Sequence, residues 1–525
     1  MTNSFVELES ANCIFVIGSN TTVAHPIAAK RLIRAKEKGA KLIVADPRKT
    51  HIATLADLHI RQNLGTDVAL LNGIMHVIYK NGWHNQAFID ARTEDFPAFV
   101  EIIEKFPPER AAEITGVAAE DIIKMAEWYA KSEASAICYV LGITQHSTGT
   151  DNVKSLANLA MLCGHIGRPS TGVNPIRGQN NVQGACDMAA LPNVFPGYQY
   201  VTVPGNLEKF EAAWKAKLSA APGLTMIEQI EAIRSGKVKG LVVFGANPVM
   251  SYSDANWVEH GLKSAEFLLV MDIFPTASSN LAHVVLPSAS FAESDGTFTN
   301  SERRVQRVRQ AIAPVPGKTN WEAIQELSTR MDYPMKYESA EEIFDEMAGL
   351  TPSYGGMSYP RLNEKGLCWP CPNPEHPGTQ YLHKDQFARG RGQFQAIDFR
   401  PPAEAPDDEY PFWLTTGTIF THYLTGTMSR RSTTLHHENP DVFVEINPED
   451  AGKLQIESGE EIKATSRRGN IMTKVLITDR VKPGVVFIPM HFMENAANRL
   501  TNSALDPVTK TPEYKVCAVN LKKVA

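Results

Sequence analysis

The sequence predicts an α/β protein, with two doubly wound, dinucleotide-binding-like α/β domains and a C-terminal β-barrel domain. An apolar run at 13–17 ends on Gly18-Ser19-Asn20, a helical pattern follows, and a second run at 42–45 ends on Asp46. The same order returns at 241–244, which ends on Gly245-Ala246-Asn247, and at 267–271, which ends on Asp272. Asp follows Gly by 28 positions in the first unit and by 27 in the second. From 412 onward the grammar changes to short apolar runs separated by turn residues, as in a small barrel.

Taken in order, 26–38 predicts a helix stopped by Gly39, 119–131 a second helix, and 136–141 a buried strand ending at Gly142. Residues 283–286 predict a strand closed by Pro287, and 293–300 (ESDGTFTN) a turn-rich loop. The stretch 350–410 is rich in Gly and Pro, has no long periodic segment, and is expected to link and cover. The barrel runs are FWLTT, VFVEI, EIKATS, IMTKVLI, VVFIP and YKVCAV. The expected domains are 1–178 and 179–320 for the two α/β domains, 321–408 for the irregular region, and 409–525 for the barrel.

Composition narrows the function. With 525 residues, 43% of them hydrophobic, the chain can build several cores. A formal charge of −6 without a basic stripe argues against nucleic acid as partner. The one basic cluster, Arg303, Arg304, Arg307 and Arg309, is expected to be a solvated face or a phosphate contact. No run approaches the roughly 20 apolar residues needed to cross a bilayer, so no membrane insertion is expected. Seven scattered cysteines suit a reducing, cytoplasmic setting. Cys368 and Cys371 form a CxxC around Trp369 and Pro370, but with no second pair or nearby His they suggest structure rather than metal.

In a parallel sheet, ligands bind beyond the carboxyl ends of the strands, where Gly admits a phosphate and an acid can hold a ribose or base. Two such units suggest two nucleotide-like ligands; the alternative is that Gly and Asp serve there as turn residues. The absence of a full GxGxxG argues against ordinary NAD binding. Between the units, 172–197 (GVNPIRGQNNVQGACDMAALPNVFPG) is rich in Gly, Pro, Asn and Gln, with Arg177 and Asp187 its only charges. Such a loop folds inward around something polar. The Arg177 fork needs an anion there, either a bound carboxylate or phosphate or a structural partner such as Asp187. The loops 415–431 and 491–502 carry enough hydroxyls and amides to line a polar cofactor, or are simply solvated.

The stretch GVNPIRGQNNVQGACDMAALP, followed by PGYQYV, resembles the active-site segment of the catalytic subunit of molybdenum or tungsten formate dehydrogenases. The likeness runs from MTNSF at the start to TPEYKVCAV near the end. It implies two molybdopterin guanine dinucleotides chelating one Mo or W through their dithiolenes, so that no metal-ligating side chains are needed. It places Arg177 beside the metal as the group that orients formate, and Gln179 among the cofactor-binding residues. One dinucleotide then falls to Gly18, Asn20, Asp46, Arg48, Gly65 and Asp67, the other to Gly245, Asn247, Asp272 and Thr276. From the barrel, Thr416, Gly417, His422, Thr427, Asn498, Asn502 and Lys515 match cofactor-contacting positions.

The implied reaction is oxidation of formate to CO2, or its reverse, with electrons passing to iron-sulfur or flavin subunits of diaphorase or hydrogenase type. The resemblance also implies a 4Fe-4S cluster, a Cys or selenocysteine ligand and an adjacent His ahead of Met1. The DNA is accordingly expected to continue upstream through an in-frame UGA, and residues 1–525 alone to be inactive. Two other classes compete: a related reductase such as nitrate reductase, and a non-catalytic relative such as the large iron-sulfur subunit of respiratory NADH dehydrogenases.

Overall fold

The strand β1 (Cys13–Ile17) is buried along its whole length and divides its side chains between two cores. Cys13, Phe15 and Ile17 point into one cluster, with Leu71, Met75 and Ile122. Ile14 and Val16 point into another, with Leu32 and Val44. This period-two split is what a parallel strand covered on both faces requires. Around it lie β2 (Lys41–Ala45), β3 (Leu58–Ile60), β4 (Ser135–Tyr139) and β5 (Gly172–Pro175), all parallel, in the order β3-β2-β1-β4-β5. The helix Pro26–Glu37 starts on proline, which fits the first turn, and buries Ala28, Ala29, Leu32 and Ala35.

This computed structural model describes residues 1–524. The chain forms two compact units, one of Met1–Ile176, Pro248–Val258 and Tyr381–Ala525, the other of Arg177–Asn247 and Glu259–Gln380. No helix among the described residues is long and apolar enough to cross a membrane.

β4 ends at Tyr139, two residues short of the predicted run, because Leu141–Thr144 turns into a helix there. The turn brings Gly142 onto Gly18, whose φ is +56°; the Gly142 N–H donates to the Gly18 carbonyl at 3.1 Å. A Cβ on Gly142 would lie 2.5 Å from Gly18 Cα, so two main chains would have to part. Gly142→Ala is therefore expected to lower stability by about 2 kcal/mol, read as a fall in melting temperature; an unchanged melting temperature would refute this close approach.

The second unit holds a three-stranded parallel sheet of β6 (Gly240–Phe244), β7 (Phe267–Asp272) and β8 (Val284–Pro287), with β7 in the middle. Pro287 is the last residue of β8 rather than a stop after it. The stretch 293–300, expected to be a loop, contains β9 (Gly296–Thr299), which pairs antiparallel with β10 (Arg304–Val308) and, through it, β11 (Leu367–Cys368). Of the basic cluster, only Arg309 is exposed. Arg303 is 1% exposed, and its guanidinium donates to the carbonyls of Trp369, Thr379 and Gln380. Arg307 pairs with Asp295 and lies 3.4 Å over the Tyr359 ring. Stretch 350–410 holds only short elements, among them Tyr359–Glu364 and Gly392–Gln393.

The first unit ends in a closed barrel of β12 (Phe412–Gly417), β13 (Phe443–Ile446), β14 (Glu461–Thr465), β15 (Asn470–Ile477), β16 (Val485–Pro489) and β17 (Cys517–Lys523). Its order is β12-β16-β13-β15-β14-β17. The run predicted at 514–519 starts three residues late as a strand, because Tyr514 and Lys515 are used elsewhere. Tyr514 donates its hydroxyl to the Ser251 carbonyl (2.9 Å) and Lys515 its ammonium to the Thr416 carbonyl (2.7 Å).

Candidate functional site

The two strand-glycine units share one backbone design. In the first, the Gly18 N–H reaches across to the Ala45 carbonyl at 3.0 Å; in the second, the Gly245 N–H reaches the Met271 carbonyl at 2.8 Å. Their φ values are +56° and +58°, a region where only glycine is unstrained. Beyond Gly245 a Cβ would meet nothing within 4 Å, so the strand end opens on free space. Around it, Asn247 Oδ1 accepts from Ser278 N (3.2 Å) and Oγ (2.8 Å), and Thr276 Oγ1 accepts from Ser279 N (3.1 Å). Asp272 Oδ1 accepts from Ile273 N at 2.7 Å. These four predicted residues therefore ring one strand end of the second unit.

In the first unit, the corresponding end carries a cluster of ionisable groups. Burial pushes the Asp46 carboxyl up to about 6, against the opposing Arg48 amide bond and the charges of Arg48 and Lys515. Burial lowers Lys515 to about 8, with Asp46 opposing. Asp67, at the start of the helix Asp67–Lys80, accepts from Gln62 Nε2 (3.0 Å), and burial raises its pKa against nearby His146. Asp46 and Lys515 are both reached by solvent, though enclosed by protein, which is the position of groups lining a cleft.

Arg48 is committed otherwise. Its fork grips the fully buried Glu445 through two bonds of 2.6 Å, and it lies 3.9 Å over the Phe487 ring. Gly417 makes room for that ring, since its Cβ would fall 2.8 Å from Phe487 Cε2. Gly65, at φ +74°, packs against Pro402. Arg48 is thus held by a protein partner, and Gly65 and Gly417 serve close packing.

Several buried acceptors of this unit have no protein donor. Asn20 Oδ1, His146 Nδ1, His422 Nδ1 and Asn498 Oδ1 are all in this position. His422 Nε2 lies 2.8 Å from the Asn439 carbonyl and must carry the proton, leaving Nδ1 a bare acceptor. Asn498 spends its amide hydrogens on the Met250 (2.5 Å) and Tyr252 (2.7 Å) carbonyls, so its oxygen too is left facing outward from these bonds. Orphaned acceptors need N–H and O–H donors, which a guanine and its ribose provide; the residues present fit that group. Two predicted residues fit less well. Asn502 is saturated by Glu513, Val516 and Ala504, and Thr427 meets Thr425 at 2.8 Å.

Asp46 allows a test by pH. Its folded pKa of about 6 lies above the ordinary aspartate value of 3.8. The folded chain then binds more protons between these values, so stability falls as pH rises from about 4 to 6 and stays lower above it. Asp46→Asn is expected to remove that decline and stabilise the cofactor-free chain at pH 7 by up to about 3 kcal/mol, while lowering pterin occupancy. A variant that loses stability at pH 7, or keeps full occupancy, would remove Asp46 from the cleft.

In the second unit, Arg177 has no carboxylate partner among the described residues. Its Nη1 donates to Cys186 Sγ at 3.1 Å, and its main chain is held by Ser301. Asp187 is not available to it. That carboxylate is 1% exposed and accepts from Gln183 Nε2 and Tyr198 OH (both 2.8 Å), Tyr354 OH (2.5 Å) and Trp369 Nε1 (2.8 Å). Burial and the Asp187 charge raise the pKa of both tyrosines, so they remain donors. Four neutral donors satisfy Asp187, so it is not the counter-ion of Arg177. Gln179 lies two residues on, half-buried.

Sequence reasoning missed Gly142, Glu445, His146, Cys186 and Ser301. Only Gly142 carried a signal, as a glycine closing a buried strand like Gly18 and Gly245. No group of three or more metal-ligating side chains occurs among the described residues.

The molybdopterin oxidoreductase family model matches residues 1–330, and the molydopterin dinucleotide binding domain matches residues 412–518. The F420-dependent formate dehydrogenase subunit alpha of Methanocaldococcus jannaschii is 50% identical, over 100% of this chain and 78% of its own. Formate dehydrogenase H of Escherichia coli is 40% identical, over 100% of this chain and 74% of its own. Among solved structures, acetylene hydratase from Pelobacter acetylenicus is 19% identical, with a TM-score of 0.79 over 99% of this chain and 79% of its own, a likeness of fold alone. Whole-chain identity of this order does not favour the nitrate reductase or NADH dehydrogenase readings. The chain belongs to the molybdopterin oxidoreductase family, and within it to the group of formate dehydrogenase alpha subunits.

Proposed function

We propose that this chain is the catalytic subunit of a formate dehydrogenase, converting HCOO⁻ to CO2, one proton and two electrons, or running the reverse. The observation that carries this reading is Arg177: a planar cation, held at its main chain and at one nitrogen, with no ion-pair partner among the described residues. Formate is the smallest carboxylate. One guanidinium fork can hold both its oxygens and leave the C–H bond directed away from the protein.

The chain's residues would hold the guanine dinucleotide ends of the cofactor: Gly18, Asn20, Asp46, Asp67, Lys515 and the barrel's Thr416, His422 and Asn498 in the first unit, and Gly245, Asn247, Asp272 and Thr276 in the second. The bound group supplies a metal centre that accepts the two electrons. Arg177 binds and orients the substrate, and its uncompensated charge lowers the energy of a carboxylate in a water-poor site.

A molybdenum or tungsten centre, a 4Fe-4S cluster as first electron acceptor, and iron-sulfur or flavin partner subunits follow the family resemblance. A cytoplasmic setting is supported by seven cysteines that are all free thiols. Elemental analysis, pterin fluorescence and formate-dependent dye reduction by the holoenzyme test this reading together. Pterin with metal and formate turnover support it; a loaded protein that reduces another oxyanion but leaves formate untouched would overturn it.

A further inference from the structure

Two side chains converge on Arg177 from opposite ends. Ser301, 5% exposed, accepts from the Arg177 N–H at 2.9 Å and donates to the Arg177 carbonyl at 3.1 Å. A main chain that needs both bonds ordinarily finds them on a neighbouring strand; here one hydroxyl supplies both. Ser301 is itself well anchored. Its turn follows β9, whose Thr299 N–H donates to Asn181 Oδ1 at 2.9 Å, four residues beyond Arg177. The turn closes through the Asn300 N–H to the Arg304 carbonyl (3.1 Å), and the buried Arg303 ties it to the carbonyls of residues 369–380. A Cβ on Gly184 would meet Asn181 Oδ1 at 2.2 Å, so a side chain there would push away the amide that holds Thr299. At the tip of the arginine, Cys186 Sγ takes the Nη1 hydrogen.

We propose that Ser301 is a positioning residue for the substrate-binding arginine: it fixes the Arg177 main chain, so that the Cys186 sulfur can set the plane of the guanidinium. This rests on Arg177 being the formate-binding group. The fork sits at the end of a long side chain, so a main-chain rotation of about 10–20° displaces it by about 1 Å, enough to cost one to two orders of magnitude in rate. The Ser301 hydroxyl carries no charge, and so does not compete with formate for the cation.

The test uses the holoenzyme carrying Ser301→Ala, Ser301→Thr, Arg177→Lys, or Ser301→Ala with Arg177→Lys. Ser301→Ala is expected to lower kcat/KM for formate about tenfold, mainly through KM and with unchanged pterin content, and Ser301→Thr to restore most of it. In the Arg177→Lys background, Ser301→Ala should change kcat/KM by less than about twofold. Hydrogen exchange at the Arg177 amide, which needs neither cofactor nor turnover, should speed up at least severalfold in Ser301→Ala and recover in Ser301→Thr. Wild-type kinetics in Ser301→Ala despite lost amide protection would overturn the positioning role, as would a tenfold loss that persists in the Arg177→Lys background. Unchanged formate kinetics in Arg177→Lys alone would instead overturn the formate reading itself, whatever the amide shows.

Discussion

Arg177→Lys is expected to lower kcat/KM for formate by about 2–4 kcal/mol of transition-state stabilisation, roughly thirtyfold to a thousandfold, with the formate KM raised and cofactor content unchanged. Lysine keeps the charge, so long-range attraction of the anion survives, but an ammonium is a point donor and cannot fix a planar carboxylate along two parallel bonds. Stability should be little affected, because Arg177 forms no ion pair among the described residues and its one side-chain bond goes to a sulfur. Steady-state kinetics with an artificial dye, set beside pterin content, measure this. Kinetics equal to the wild type would place formate elsewhere.

What could be read from the sequence was what neighbouring residues decide among themselves. The runs CIFVI and KLIVA became β1 and β2 because apolar residues on both faces leave a segment no solvated alternative. The glycines ending β1 and β6 could be found because a left-handed turn at a strand end admits few other residues. β9 could not be found: its GTFT reads as turn-rich and polar, and its pairing depends on β10 and on Tyr354, which lies 55 residues from Thr299. Arg303 was misread for the same reason. Clustered arginines usually face water, but here the carbonyls of a segment about seventy residues later supply a cage of acceptors. At the site, Asp46 and Lys515 could be named separately. Their closeness, and the capture of Arg48 by Glu445 across 397 residues, are properties of the folded unit. The two readings of Arg177 could not be separated by composition, because separating them required counting the donors on Asp187.

The four donors on Asp187 also bear on stability. Asp187→Ala removes the acceptor of four donors at once. Two of them, Tyr354 and Trp369, come from a segment 167 and 182 residues away, so the loop that carries Arg177 would lose its tie to the 350–370 region. Stranding these groups is expected to cost about 3–4 kcal/mol and to loosen that region in hydrogen exchange. Asp187→Asn should be much milder, at about 1–2 kcal/mol. Its oxygen can still accept from Tyr354 and Trp369, while its NH2 faces the Gln183 amide, which can flip, and the Tyr198 hydroxyl, which can accept. The contrast between the two variants separates the readings of Arg177. If four neutral donors are what Asp187 serves, removing its charge alone leaves the formate KM near the wild-type value, and only Ala is severe. If Asp187 were instead the counter-ion of Arg177, the neutral Asn would disturb the cation as much as Ala does. Equal damage to formate binding by Asn and Ala would return Arg177 to a structural role.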